Sequence, residues 1–153
     1  MKSFGVLLAG GQKFSFMPPA NWSVKADAVK RSITLLPQNL KAGITVRFNQ
    51  KSDGRTPELN AAELRERIQE RYPGAKITRE FECVTDGQTG LAFDFVRVVD
   101  KDTLAGMRIA FAPYPGGTVE FELTTAAAQF ADYHIAFSRM LNSFHVEEHP
   151  KKQ

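Results

Sequence analysis

Thr118–Phe144, TVEFELTTAAAQFADYHIAFSRMLNSF, decides the fold. Val119, Phe121 and Leu123 alternate with Thr118, Glu120, Glu122 and Thr124, the period of a half-buried antiparallel strand. Phe130, Tyr133, Phe137, Met140, Leu141 and Phe144 then recur at helical spacing and make one broad apolar stripe. Such a helix needs the sheet that the preceding strand joins, because propensity alone does not hold it in water. A strand running straight into its own covering helix predicts an α+β domain.

The chain before this stretch supplies the rest of that sheet. Ile33 and Leu35, then Ile44, Val46 and Phe48, mark two strands, Arg31–Leu36 and Gly43–Asn49, joined by a connection short enough for a hairpin. Lys76–Thr85, Gly90–Val99 and Leu104–Ala112 read as three more, separated by the turn sequences Asp86-Gly87 and Asp100-Lys101-Asp102, so an antiparallel meander is expected. Between these groups lies a helix with Asn60 as its N-cap, Glu63 completing a capping box and Leu59 facing Leu64 as a staple. Ala61, Leu64, Ile68 and Tyr72 form its buried face, and Tyr72-Pro73-Gly74 ends it. Near the start, Phe4–Ala9 and Lys13–Met17 read as short strands about a turn at Ala9-Gly10-Gly11-Gln12. Pro18-Pro19 halts the second, and Trp22 is expected to plug one end of the core. The expectation is a largely antiparallel sheet of about seven or eight strands with one helix inserted midway and one at the end. A single domain spans 1–146, and a polar tail spans 147–153.

Composition agrees with one globular domain: 153 residues, 42% hydrophobic and 24% charged. The net charge of +3 is unevenly placed. Residues 1–50 carry seven Lys or Arg against one Asp, whereas residues 51–153 carry thirteen against sixteen Asp and Glu. A basic first third could face an acidic partner, although a solvated surface is the plainer reading. Cys83 is the single cysteine, which excludes an internal disulfide and fits a reducing compartment. The run Phe4–Ala9 is shorter than a secretion-signal core, Gly11 stands where a lipidated cysteine would be needed, and no stretch is long enough to span a membrane. A cytoplasmic location is therefore expected, or a periplasmic one if upstream signal residues have been removed.

Each motif with chemical potential has a plainer explanation. His145-Val146-Glu147-Glu148-His149 matches the spacing of inverted zinc peptidases, but it falls after the last core residue of the helix and Pro150 follows at once. His134 neighbours Tyr133 and Phe137, as a boundary residue would. Gly90–Arg97 faintly matches the aromatic strand of RNA-recognition modules, yet Leu91 and Val96 stand where aromatics should stack on bases. No phosphate loop or nucleophile elbow occurs, and the sequon Asn21-Trp22-Ser23 has no meaning in a cytoplasmic protein. Cys83 reads as a small buried hydrophobe. Glu80, Glu82, Glu120 and Glu122 fall on the outward sides of strands, where like charges keep a sheet face wet. No catalytic, cofactor-binding or metal residue is assigned.

Phe14, Phe16, Pro18, Pro19, Trp22 and Val24 open a longer pattern that continues through the capped helix, Gly90 and Arg108. It closes with Val119–Thr124, Phe130 and Met140–Phe144. This pattern resembles the PsbP-like fold, shared by a photosystem II extrinsic subunit, a Ran-binding nuclear import factor and many small bacterial proteins. Among the bacterial members it is similar to the DcrB-like group, which includes the effector-associated (Eag) chaperones of type VI secretion. The resemblance implies an α/β/α sandwich that binds another protein and catalyses nothing, with a homodimer as one form and neither nucleic acid nor membrane insertion involved. Such an adaptor or chaperone should leave an apolar sheet face uncovered. Ala92, Val96, Val98, Ala110 and Ala112, opposite Phe93, Phe95, Ile109 and Phe111, make part of the sheet apolar on both sides. The alternative, a small-ligand or enzymatic domain, requires an enclosed pocket with convergent polar groups.

Overall fold

The computed structural model describes residues 4–7, 12–51 and 54–147. In chain order the elements are β1 (Phe4–Leu7), β2 (Lys13–Phe16), β3 (Ser23–Asp27), β4 (Ser32–Leu36), β5 (Ala42–Gln50), α1 (Ala61–Arg71) and β6 (Lys76–Thr85). They continue as β7 (Gln88–Asp100), β8 (Thr103–Tyr114), β9 (Gly117–Ala126), α2 (Phe130–Ser143) and β10 (His145–Glu147), with a single 3-10 turn at Ala127–Gln129 leading into α2. A seven-stranded sheet runs in the order β3-β4-β5-β9-β8-β7-β6, and a three-stranded sheet in the order β1-β2-β10. The strands pair antiparallel throughout both sheets.

The predicted elements are present, and two strands are added to them. β3 (Ser23–Asp27) lies in a stretch for which the sequence suggested no strand, and β10 follows α2 where the polar tail was expected to begin. The turn at 9–11, residue 53 of the Asp53-Gly54 loop, and Glu148 and His149 lie outside the described residues. The β6–β7 hairpin turns through Asp86 and Gly87, both at positive φ (54° and 75°), the geometry of a two-residue turn whose twist matches its strands. Asn60 caps α1 by accepting the Glu63 backbone N–H at 3.1 Å, as the capping box predicts.

The meander β6–β9 returns the chain so that β9 pairs with β5 along its length, from Ala42 opposite Thr125 to Gln50 opposite Gly117. That long-range pairing makes β9 the central strand. One face of the sheet receives α1, with Leu64 and Ile68 packed on Phe93, Phe95, Met107, Ile109 and Phe111. The other face receives α2 and the small sheet together. There Phe14, Phe137, Met140 and Phe144 meet Ile44, Val46, Phe121 and Leu123. Phe14 is the hub, with its ring centroid 4.8 Å from those of Phe48 and Tyr114 and 5.5 Å from that of Phe144. Trp22 closes one end against Tyr133 at 6.1 Å, the place its sequence context suggested. Gly90 is required where β7 and β8 touch, because a Cβ there would collide with the Phe111 carbonyl oxygen. Among the described residues no helix is long and apolar enough to cross a membrane.

Candidate functional site

The acidic residues of β9 do not keep a sheet face wet, contrary to the sequence expectation. Glu120 and Glu122 are buried, with 5% and 4% of their surface exposed. The reason is position: β9 is central, and the C-terminal end of α1 lies over these two carboxylates. Arg71 of α1 donates to both oxygens of Glu120 at 3.1 and 3.3 Å. Arg47 of β5 donates to Glu122 at 3.3 Å, and the Tyr72 hydroxyl donates to the same carboxylate at 2.8 Å. Two carboxylates thus meet two guanidiniums. Burial, then the Glu122 charge, pushes the Tyr72 hydroxyl up to about 12. Burial opposes the charge on Arg47, but Glu122 outweighs it and holds the guanidinium above its ordinary value. A carboxylate held this way has its charge matched in place by a guanidinium. Glu80 and Glu82 remain exposed as expected, Glu80 pairing with Arg65 at 2.6 Å.

A second buried pair went unrecognised in the sequence. Arg108 Nε donates to Asp94 Oδ1 at 2.6 Å and its Nη2 to Oδ2 at 2.9 Å, a bidentate pair on the α2 face. The guanidinium carbon lies 4.9 Å from the Phe81 ring centroid and 5.3 Å from that of Phe130, so aromatic faces replace water around the charge. The signal was a lone Asp within the apolar run Leu91–Val96 and a lone Arg within Met107–Ala112, directly opposite each other in the β7–β8 register.

The other candidates fall into structural roles. His145 Nδ1 lies 2.7 Å from Asp86 Oδ1, and Asp86 Oδ2 accepts the Val146 N–H, which ties β10 to the β6–β7 turn. His134 stacks on Phe130 at 5.8 Å and is half-buried. Cys83 packs at the margin of the α2-side core, where burial pushes its thiol up to about 11, away from nucleophile character. Among the described residues no group of three or more His, Cys, Asp and Glu is placed to hold a metal ion.

What remains open is half of the α1 face. The helix reaches from β7 to β9, and beyond it β5, β4 and β3 show this side to solvent. Their alternation makes it polar: register places Lys25, Thr34 and Thr45 in one cross-strand row and Asp27, Ser32 and Arg47 in the next. These residues line a groove of about 480 Å³ with Ser23, Lys30 and Leu36. Its Leu36 lies next to Gly43 of a second groove of about 410 Å³, where β5 and β8 begin and β7 and β9 finish. This second groove is apolar, lined by Leu40, Val99 and Leu104, with Lys41 and Arg97 beside them. Leu40 is 70%, Val99 51% and Leu104 48% exposed. The sequence expectation of an uncovered apolar face holds only in part. Ala92, Ala110 and Ala112 are buried by α2 and the small sheet and Val96 is half-buried, whereas Val98 is 68% exposed. On the α1 face the uncovered area is polar over three strands and apolar at one end.

No protein-family profile matches the chain. No curated protein sequence matches it either. Solved structures do. The cyanobacterial PsbP protein CyanoP of Synechocystis superposes with a TM-score of 0.68 at 16% identity, covering 95% of this chain and 92% of that one. The Ran-binding protein Mog1p of Saccharomyces cerevisiae gives 0.59 at 12% identity, covering 95% of each. A Pseudomonas aeruginosa protein of unknown function gives 0.58 at 15%, over the full length of both. At these identities the likeness is one of fold alone. The chain has the PsbP-like fold.

Proposed function

We propose that this chain is a non-enzymatic protein-binding adaptor, and that its partner docks an apolar segment in the cleft at the open end of the sheet. The observation that carries this reading is the joint exposure of Leu40, Val99 and Leu104 along one groove of about 410 Å³. Single exposed apolar residues are ordinary, but three lining a shared cleft form an anchor site of the kind partners use. The chemistry of the interior supports it from the other side. Each buried carboxylate is matched to a guanidinium, and the one thiol is held protonated. A small-ligand or enzymatic domain would offer an enclosed pocket with convergent, unpaired polar groups, whereas both grooves open broadly to solvent.

Mog1p, of the same fold, is a Ran-binding protein, so this architecture is compatible with a protein partner. The finer version of the proposal is a chaperone in the manner of the DcrB-like group and its effector-associated (Eag) members, shielding apolar segments of a secreted protein. Affinity capture of the tagged chain from its native cells, beside a Leu104→Asp variant, tests it. One dominant protein should co-purify with the wild type and be lost from the variant. A wild-type chain that emerges alone, as a dimer of itself through this cleft, or with a retained small molecule overturns the reading.

A further inference from the structure

We infer that the segment bound on the uncovered face is acidic, with carboxylates lying over β3–β5 and apolar side chains seated in the adjoining cleft. This inference rests on the protein-binding reading and adds the chemistry of the partner. Five cations border the two neighbouring grooves: Lys25, Lys30 and Arg47 in the polar one, Lys41 and Arg97 beside the apolar one. Arg47 is already paired with Glu122, and among the described residues none of the other four forms an ion pair with a carboxylate. Arg97 instead lies over the Tyr72 ring at 4.8 Å. The single acid of the surface, Asp27, is already engaged, its Oδ1 accepting the backbone N–H groups of Val29 and Lys30 at 3.1 Å each.

The contrast with the covered half of the same face is the argument. Under α1 the acids of β9 are neutralised by Arg47 and Arg71, so that half is internally balanced. Beyond β9 the balance stops, and three cations of the first fifty residues, Lys25, Lys30 and Lys41, border the grooves there. Ser32, Thr34 and Thr45 supply hydroxyl donors between them, suited to carboxylate oxygens. Nucleic acid is the poorer occupant, because no aromatic residue lines either groove and bases would have nothing to stack on. Complementary charge of this kind steers encounter and selects partners, while the apolar cleft holds what arrives.

The test begins with random dodecapeptides displayed on phage and selected against the full chain. The best binder is synthesised and titrated by fluorescence anisotropy against wild type, Lys25→Glu/Lys30→Glu and Leu104→Asp. Both lysines are exposed, and circular dichroism checks that each variant is folded. Selected peptides should carry Asp or Glu beside apolar residues, bind more weakly as salt rises, and lose about tenfold or more in affinity to the lysine double variant. If Leu104→Asp abolishes binding while Lys25→Glu/Lys30→Glu leaves it unchanged, the protein-binding reading stands and the acidic inference falls. Peptides without acidic bias also overturn the inference, and so does displacement of the peptide by a dT oligomer. If no peptide is selected, or neither variant changes binding, both readings fail.

Discussion

The chain contains the triplet Glu-Phe-Glu twice, at Glu80-Phe81-Glu82 in β6 and at Glu120-Phe121-Glu122 in β9. In both, the phenylalanine points to the α2 face and the two glutamates to the α1 face, as the cross-strand registers require. Their fates differ completely. β6 is an edge strand, and its glutamates are exposed, Glu80 sharing a solvated pair with Arg65. β9 is the central strand, and its glutamates are buried among Arg47, Arg71 and Tyr72. Local pattern sets which face a side chain takes. Rank in the sheet sets whether that face is wet.

The largest expected effect breaks the comparison outright. Glu122→Ala strands Arg47 and Tyr72 beside an empty site and should cost about 3 kcal/mol by urea unfolding, whereas Glu82→Ala should stay within about 0.5 kcal/mol. Equal costs would mean that burial rank is not what separates the triplets. Next in size is a pair of double-mutant cycles. Arg71→Met with Glu120→Gln should show a coupling of about 2 kcal/mol, and Arg65→Met with Glu80→Gln about 0.5 kcal/mol or less, fading as salt is raised.

The residue following each triplet sharpens the contrast. Leu123 is fully buried, while Cys83 sits at the core margin with its thiol raised from 9.0 to about 11. Its alkylation by iodoacetamide at pH 8 should run about a hundredfold slower than that of a free thiol, following the smaller thiolate fraction. The same shift predicts a modest pH effect. The folded state holds the proton more tightly than the unfolded one, so this contribution is intact below pH 9 and is lost as pH rises toward about 11. Tyr72 and Tyr114, raised from 10.0 to about 12, act in the same direction a unit higher. Thermal denaturation should therefore show a falling midpoint above pH 9, with a shallower fall in Cys83→Ala.

Much of the fold was readable because the alternation of Ile33/Leu35, Ile44/Val46/Phe48 and Val119/Phe121/Leu123 is strict and the Asn60 cap is unambiguous. The short strands β3 and β10 were not readable. Each is defined by its partner, Ser23–Asp27 by β4 and His145–Glu147 by β2, and not by its own periodicity. The open surface was half legible. The basic bias of residues 1–50 and the two-sided apolar strands were visible, but which face α1 covers depends on where β9 inserts, a pairing between residues 67 to 83 positions apart. For the same reason Glu120 and Glu122 looked like solvated acids, and the Asp94–Arg108 pair was invisible until β7 and β8 were set in register.

The most direct test of the central claim, that a partner protein sits on the uncovered face, is site-specific photo-cross-linking in native cells. Leu104, Lys25 and Glu82 would each be replaced in turn by p-benzoylphenylalanine, the last as an exposed control on the edge strand away from both grooves. The account predicts one cross-linked protein shared by the positions of Leu104 and Lys25 and none at that of Glu82. Cross-links at the Glu82 position alone, or none at the other two, would contradict it.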